Sequence, residues 1–349
     1  MEEYKKTLED HKLSHSSLNL LDYSPSFYRE HILNPKDEDT SYFRKGSAVD
    51  CLLTEPTEFD KRYVLCTVES PGGMMGEFVK IYLHNINRDD IDEDTKRKAA
   101  YVASGFKIKY ESVIKKFEVP EIQEYVKFTL ENKDKTLLSR EEMTQTINMV
   151  NMLQKCVITE EYFKADNDLR ETENQLKFEM PWKTKSGKEY TIRGMLDKVI
   201  INHKDKTIQA VDLKTTGKPV YSFPNSYIKY AYYRQAAIYQ YYIKSLFRKM
   251  ITRKNNELKD YEVLPFKFIV AETACNNKPL VFEVSEEDLE IGLNGGFSKS
   301  TGKRIKGFAE LIEEVEWHQE TGEWEIKKEV IDNNGVITLN ELKNDNKKN

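Results

Sequence analysis

The sequence has few cysteines, no long apolar run and no excess of positive charge. Its four cysteines, Cys51, Cys66, Cys156 and Cys275, lie 15, 90 and 119 positions apart. That spacing fits neither a zinc ribbon nor an iron–sulfur set and predicts reduced thiols. No apolar stretch approaches the ~18 residues a membrane-spanning helix needs. Residues 1–6 lack the basic region followed by an apolar stretch that marks a secretory leader, which predicts a cytoplasmic address. Internal repeats and long low-complexity stretches are also missing. What is present is 349 residues, 39% hydrophobic and 32% charged, enough for one large elaborated domain or two that share a core.

The net charge of −5 is an average over an uneven chain. From Lys183 to Lys254 there are 16 basic residues against 4 acidic ones, a local charge of +12 that leaves −17 elsewhere. That segment is built to meet an anion.

Residues 14–33 read as two short helices, the second opening at Ser24-Pro25. An apolar helical start interrupted by Asp50 covers Gly46 to Leu53. Pro71, Gly72, Gly73 and Gly76 mark 68–90 as a mobile loop. From Asp92 to Phe163 the pattern is helical, with a capping box at Ser139–Glu142 before the stripe Ile147, Val150, Met152, Leu153. The period then changes to two, predicting a three-stranded meander through Leu176–Trp182, Tyr190–Asn202 and Thr207–Lys214. A long helix over 227–250 and strands at 265–271 and 280–284 follow. The division expected is a helical part over 1–165 that carries Asp50 and is integral to the fold, a core over 166–327, and a charged tail over 328–349 with its last ten residues disordered.

The chemistry concentrates in the second hairpin. With the turn centred between Lys204 and Asp205, Asp197 lies opposite Asp212, and Lys214 shares their face while the Leu213 side chain points away into the core. Met195, Val199, Ile208 and Ala210 make that face half-buried, so two opposed carboxylates would repel strongly, and neutralising one should stabilise the metal-free protein. A divalent cation between them resolves the conflict. Oxygen-only ligands select magnesium or manganese, and such a site can activate water beside a phosphate.

Gly194-Met-Leu-Asp197 on one strand and Asp212-Leu-Lys214 on the next resemble the core of the PD-(D/E)xK nuclease superfamily. Gly46-Ser-Ala-Val-Asp50 is similar to the Gly-(Thr/Ser)-x-x-His motif of its RecB-type and exonuclease VIII-like branch, with Asp50 in place of histidine, and Gln235-Ala-Ala-Ile-Tyr239 matches that branch's Gln-x-x-x-Tyr motif. The order agrees over about residues 14–245. The resemblance implies an α/β nuclease core, a central mixed sheet flanked by helices, with a helical N-terminal half. It further implies a metal held by Asp50, Asp197, Asp212 and the Leu213 carbonyl, Lys214 positioning the attacking water, and Gln235 and Tyr239 steadying the site. Mg2+ would be the cofactor and Mn2+ its substitute. Glu179 is either a further acidic contributor or an outward-facing strand residue, and Gln235 needs a partner, in the site or on the backbone.

Eight of the 20 tyrosines fall between Tyr221 and Tyr242, interleaved with Lys218, Lys229 and Arg234. They read either as core or as a stacking surface for a frayed strand. Lys303 and Arg304 lie in a second basic loop, solvated or in contact with DNA. The nearest look-alikes resect linear duplex DNA from its ends beside a single-strand annealing protein, usually as a homo-oligomeric ring. An endonuclease, a single-strand exonuclease tied to a separate helicase, and a noncatalytic DNA-binding module are the alternatives.

Overall fold

The computed structural model describes residues 7–35, 40–299 and 301–337. The end of the tail, where disorder was expected, lies outside them. The chain divides into two units, residues 1–39 with 149–349 and residues 40–148. The boundaries therefore fall at 39 and 148 rather than at 165, and the first helices belong with the sheet.

The first unit opens with α1 (His15–Tyr23) and α2 (Pro25–Leu33). Ser14 caps α1 in a reciprocal box with Ser17, and Ser24 caps α2 with Pro25 in the first turn, each supplying acceptors for otherwise unpaired helix N–H groups.

The second unit carries α3 (Ser41–Thr54), α4 (Gly73–Asn85), α5 (Glu93–Ala103), α6 (Tyr110–Phe117), α7 (Pro120–Glu131) and the start of α8 (Arg140–Lys155), with a parallel pair β1 (Tyr63–Leu65) and β2 (Thr136–Leu138). The loop expected over 68–90 is mostly helix α4. Its glycines mark the helix start: Gly72 is the N-cap, Gly73 has φ +57°, and a Cβ at Gly76 would lie 2.3 Å from the Pro71 carbonyl oxygen. Phe78, Val79 and Tyr82 then fill the core of this unit against Val113, Phe117 and Val126. On α8 the expected capping box forms, with the Ser139 N–H donating to the Glu142 carboxylate and the Glu142 N–H to Ser139 Oγ. Of the expected stripe Leu153 is buried, but Ile147 is exposed and Met149 is buried in its stead.

Back in the first unit, β3 (Arg170–Lys183), β4 (Glu189–Asn202) and β5 (Thr207–Thr216) form the predicted meander, followed by α9 (Phe223–Lys229) and α10 (Tyr232–Ser245). The strands β6 (Glu262–Val263), β7 (Lys267–Glu272) and β8 (Leu280–Glu283) complete a mixed sheet ordered β3-β4-β5-β7-β8, with β6 beside the start of β5. The pairing of β5 with β7 is parallel and the other pairings along that order are antiparallel. Next come α11 (Glu286–Asn294), the hairpin β9 (Gly296–Ser298) and β10 (Lys303–Ile305), α12 (Phe308–Thr321) and α13 (Lys328–Asp332), the last formed within the expected tail.

The helix predicted over 227–250 is broken at Ala231, which has a left-handed backbone (φ 50°, ψ 42°). Alanine tolerates this poorly, and α1 reinforces the break: His15 Nε2 lies 3.0 Å from the Ala231 carbonyl oxygen, and Asn19 donates to the Tyr230 carbonyl at 3.0 Å. No disulfide links the four cysteines, and among the described residues no helix is long and apolar enough to cross a membrane.

Candidate active site

The hairpin register is the one the turn dictates. The Asn202 side chain accepts the N–H groups of Lys204 and Asp205, and β4 pairs with β5 from Asn202–Thr207 to Lys198–Val211. The ladder stops there, one pair short of Asp197–Asp212. Beyond it, Asp197 Oδ2 accepts the Leu213 N–H at 2.8 Å, so Asp197 bridges to the backbone of β5 instead of facing Asp212 across a regular pair.

Asp212 is 1% exposed. Its Oδ1 accepts Gln235 Nε2 at 2.9 Å, and its Oδ2 is ion-paired with the Lys214 ammonium. The partner that Gln235 requires is therefore the Asp212 carboxylate. Burial raises the Asp212 pKa, partly opposed by Lys214 and Gln235. Burial also pulls the Lys214 pKa down, but the fields of Asp212, Tyr232 and Asp197 outweigh it, and the net shift is upward. The Lys214 ammonium lies 4.8 Å from the Tyr232 ring centroid and 5.8 Å from that of Phe268, where aromatic faces favour a cation. Tyr239 hydrogen-bonds Gln235, and burial followed by the Asp212 charge pushes its hydroxyl up to about 12.

Asp197, Asp212, Leu213, Lys214, Gln235 and Tyr239 thus gather where β4, β5 and α10 meet. Leu213 is only half-buried, so the expected placement of its side chain in the core is corrected. Both faces of this central strand are covered, and Asp212 itself is the more deeply buried residue. Asp50 lies on α3 of the second unit, half-buried, with its backbone carbonyl accepting from Thr54. Among the described residues no three His, Cys, Asp or Glu side chains group closely enough to hold a metal. Within the first unit, the donor set is two carboxylates with the adjacent Leu213 carbonyl. All-oxygen donors of this kind suit magnesium or manganese.

A cleft of about 620 Å³ adjoins these residues, lined by Ser14 and the start of α1 at His15 and Ser16, Lys177–Glu179 of β3, Arg193–Met195 of β4, and Gln235 and Tyr239. Gly194 lets two aromatic rings close its floor, since a Cβ there would lie 2.5 Å from Phe178 and 2.9 Å from Tyr239. Glu179 is exposed and salt-bridged to Lys12 at 2.6 Å, the outward-facing one of its two expected placements. His15 was missed in the sequence. Burial lowers its pKa to about 3, with the Ala231 carbonyl opposing and the charges of Lys214 and Arg234 adding to the shift, so it is neutral near pH 7. Its sequence signal was its place in the segment Leu13-Ser-His-Ser-Ser17 that opens the first predicted helix.

The expected nucleic-acid contacts separate. Lys218 is exposed, and so is Lys229, whose ammonium lies 5.4 Å from the Tyr230 ring centroid. Arg234 is not available to a ligand: it is 2% exposed, and its guanidinium donates to the Lys306 carbonyl, Asn19 and Asp22. Lys303 and Arg304 lie on β10, where Arg304 pairs with Glu310 and the neighbouring Lys306 with Glu314 and Glu329. Those glutamates offset much of that hairpin's charge. Tyr233, Tyr239 and Tyr242 are core residues, whereas Tyr221, Tyr230 and Tyr241 are exposed.

The site thus sets carboxylates on the adjacent antiparallel strands β4 and β5 and a lysine two residues after the second of them. The family model of the PD-(D/E)XK nuclease superfamily matches residues 117–291, half of the chain, and the chain belongs to that superfamily. Among solved structures, the chain is similar to a protein of Eubacterium rectale provisionally described as an exonuclease, with 13% identity, 97% of this chain and 94% of that one covered, and a TM-score of 0.46. No curated protein gives a significant match.

Proposed function

We propose that this chain is a magnesium-dependent exonuclease that hydrolyses phosphodiester bonds of linear duplex DNA from its ends, with manganese able to substitute. The observation that supports this most is the buried Asp212, held at once by Lys214 and Gln235 and adjacent to the strand position where Asp197 grips the Leu213 amide. Bound by Asp197, Asp212 and the Leu213 carbonyl, a magnesium ion would supply a polarised water and positive charge beside the phosphate.

The protein's own groups supply the rest. Gln235 fixes the rotamer of Asp212, and the Leu213 N–H fixes that of Asp197, so both carboxylates are pre-set. Lys214, with its raised pKa, stays protonated at neutral pH. It therefore acts as a donor that orients the attacking water and offsets charge on the phosphate rather than as a base. Lys218, Lys229 and the exposed Tyr221 and Tyr230 offer positive charge and ring faces to a strand. On the family resemblance, the protein would work in the cytoplasm as a ring beside a single-strand annealing protein.

The test of end dependence is a linear duplex against a closed circle of the same sequence. The linear substrate should be degraded progressively with magnesium and persist in EDTA, while the circle survives. Rapid nicking of the circle would indicate an endonuclease, and binding without cleavage in either metal a noncatalytic module.

Asp50 is proposed as a further ligand on its motif alone. Asp50→Ala should raise the magnesium needed for half-maximal cleavage by about tenfold or more. Asp50→His should restore part of the activity and shift preference toward manganese, because imidazole is the softer ligand. Unaltered metal dependence in Asp50→Ala would remove Asp50 from the ligand set.

A further inference from the structure

We infer that Arg193 and Lys177 form a phosphate subsite that holds one DNA strand beside the bond to be cleaved, and that Lys12 keeps it open by drawing Glu179 away from Arg193; this rests on the reading of the chain as a DNA nuclease. Both cations are exposed and line the cleft beside Gln235 and Tyr239, Lys177 from β3 and Arg193 from β4. Arg193 stands four residues before Asp197, roughly 13 Å along an extended strand. Lys177 pairs in register with Met195, midway between them. The two charges thus flank the stretch of β4 that leads to the proposed metal ligand.

Residues directly opposite on an antiparallel pair are neighbours, and opposite charges there attract. Arg193 faces Glu179 in this way, so the default partner of its guanidinium is the Glu179 carboxylate. That carboxylate is instead ion-paired with Lys12 at 2.6 Å. The N-terminal segment brings Lys12 there by joining the free edge of β4: the Leu13 N–H donates to the Thr191 carbonyl, and the Leu13 carbonyl accepts the Arg193 N–H.

The consequence is a local excess of positive charge. Glu179 is the one acidic residue among the described residues that line the cleft, and Lys12 neutralises it. Among the described residues, Arg193 and Lys177 pair with no carboxylate. A concave site lined by one sign of charge concentrates the opposite ion, and the anion that repeats along a nucleic acid is phosphate. The cleft has the volume of a small-ligand pocket, which admits one strand and not a duplex.

The test is binding of the full chain to a linear duplex carrying a short single-stranded extension, titrated in EDTA over a range of salt so that no cleavage occurs. Arg193→Gln and Lys177→Gln should each weaken binding about fivefold at about 0.1 M salt and make its salt dependence shallower by roughly 0.7. Arg193→Lys keeps the charge and should keep the slope. Lys133→Gln, an exposed lysine of the second unit, should leave both unchanged. Lys12→Met releases Glu179 to Arg193 and should weaken binding about twofold or more. Adding Glu179→Gln to it returns the parent's net charge and should restore the parent's affinity. Circular dichroism would check that each variant folds.

Unchanged slopes in both Arg193→Gln and Lys177→Gln would overturn the subsite. A Lys12→Met variant that binds like the parent, or a double variant that binds no better than Lys12→Met, would overturn the role of Lys12. A parent protein that binds no DNA at any salt would instead remove the nuclease reading itself, a different failure from either of these.

Discussion

Lys214→Ala and Asp212→Asn are each expected to lower cleavage by about a hundredfold or more while leaving DNA binding largely intact, because on the proposed assignment each removes a group that acts on the transition state. The stability of Asp212→Asn should move oppositely to the expectation from facing carboxylates. Since Asp212 is bound to Lys214 rather than opposed to Asp197 in the ladder, Asp212→Asn leaves a desolvated ammonium short of its main counter-charge. The melting temperature in EDTA should fall. A rise would mean that carboxylate repulsion dominates, and near-normal turnover in either variant would dismiss the active-site assignment.

Phe268→Ala should be the most damaging single core change near the site. Phe268 is fully buried, pairs in register with Asp212, packs against Phe266, Phe223 and Tyr232, and lies beneath the Lys214 ammonium. Truncating such a ring costs about 3–5 kcal/mol, a Tm loss of roughly ten degrees at the rate usual for a chain of this size. Activity at permissive temperature should fall as well, because water would reach the Lys214–Asp212 pair. Thermal denaturation and cleavage rates on the same preparation check both, and a Tm within a few degrees of the parent would show that the neighbouring rings collapse into the space.

The sequence carried the hairpin register because Asn202 and Asp205 mark the turn and alternation fixes the rest. It could not carry the early end of the ladder, since that depends on an aspartate side chain choosing a backbone amide over regular pairing. The need of Gln235 for a partner was legible from its place on an apolar helix face, but the identity of that partner required the sheet across from it. Arg234 shows the opposite limit. Its charge is visible in the sequence, whereas Asp22 and Asn19, which absorb it, lie more than two hundred positions away. The break at Ala231 left no glycine or proline to announce it, and in 68–90 the glycines outweighed the Phe78, Val79 and Tyr82 pattern that decides the helix.

The latch at Ala231 also bears on how the protein matures on the ribosome. His15 and Asn19 are made first, yet the carbonyls they engage come more than two hundred residues later, after the second unit has been completed. Until α10 emerges, Gln235 is not present to steady Asp212. Contacts of such long sequence separation form late, so a nascent chain passes most of its synthesis with the surroundings of Asp212 unassembled.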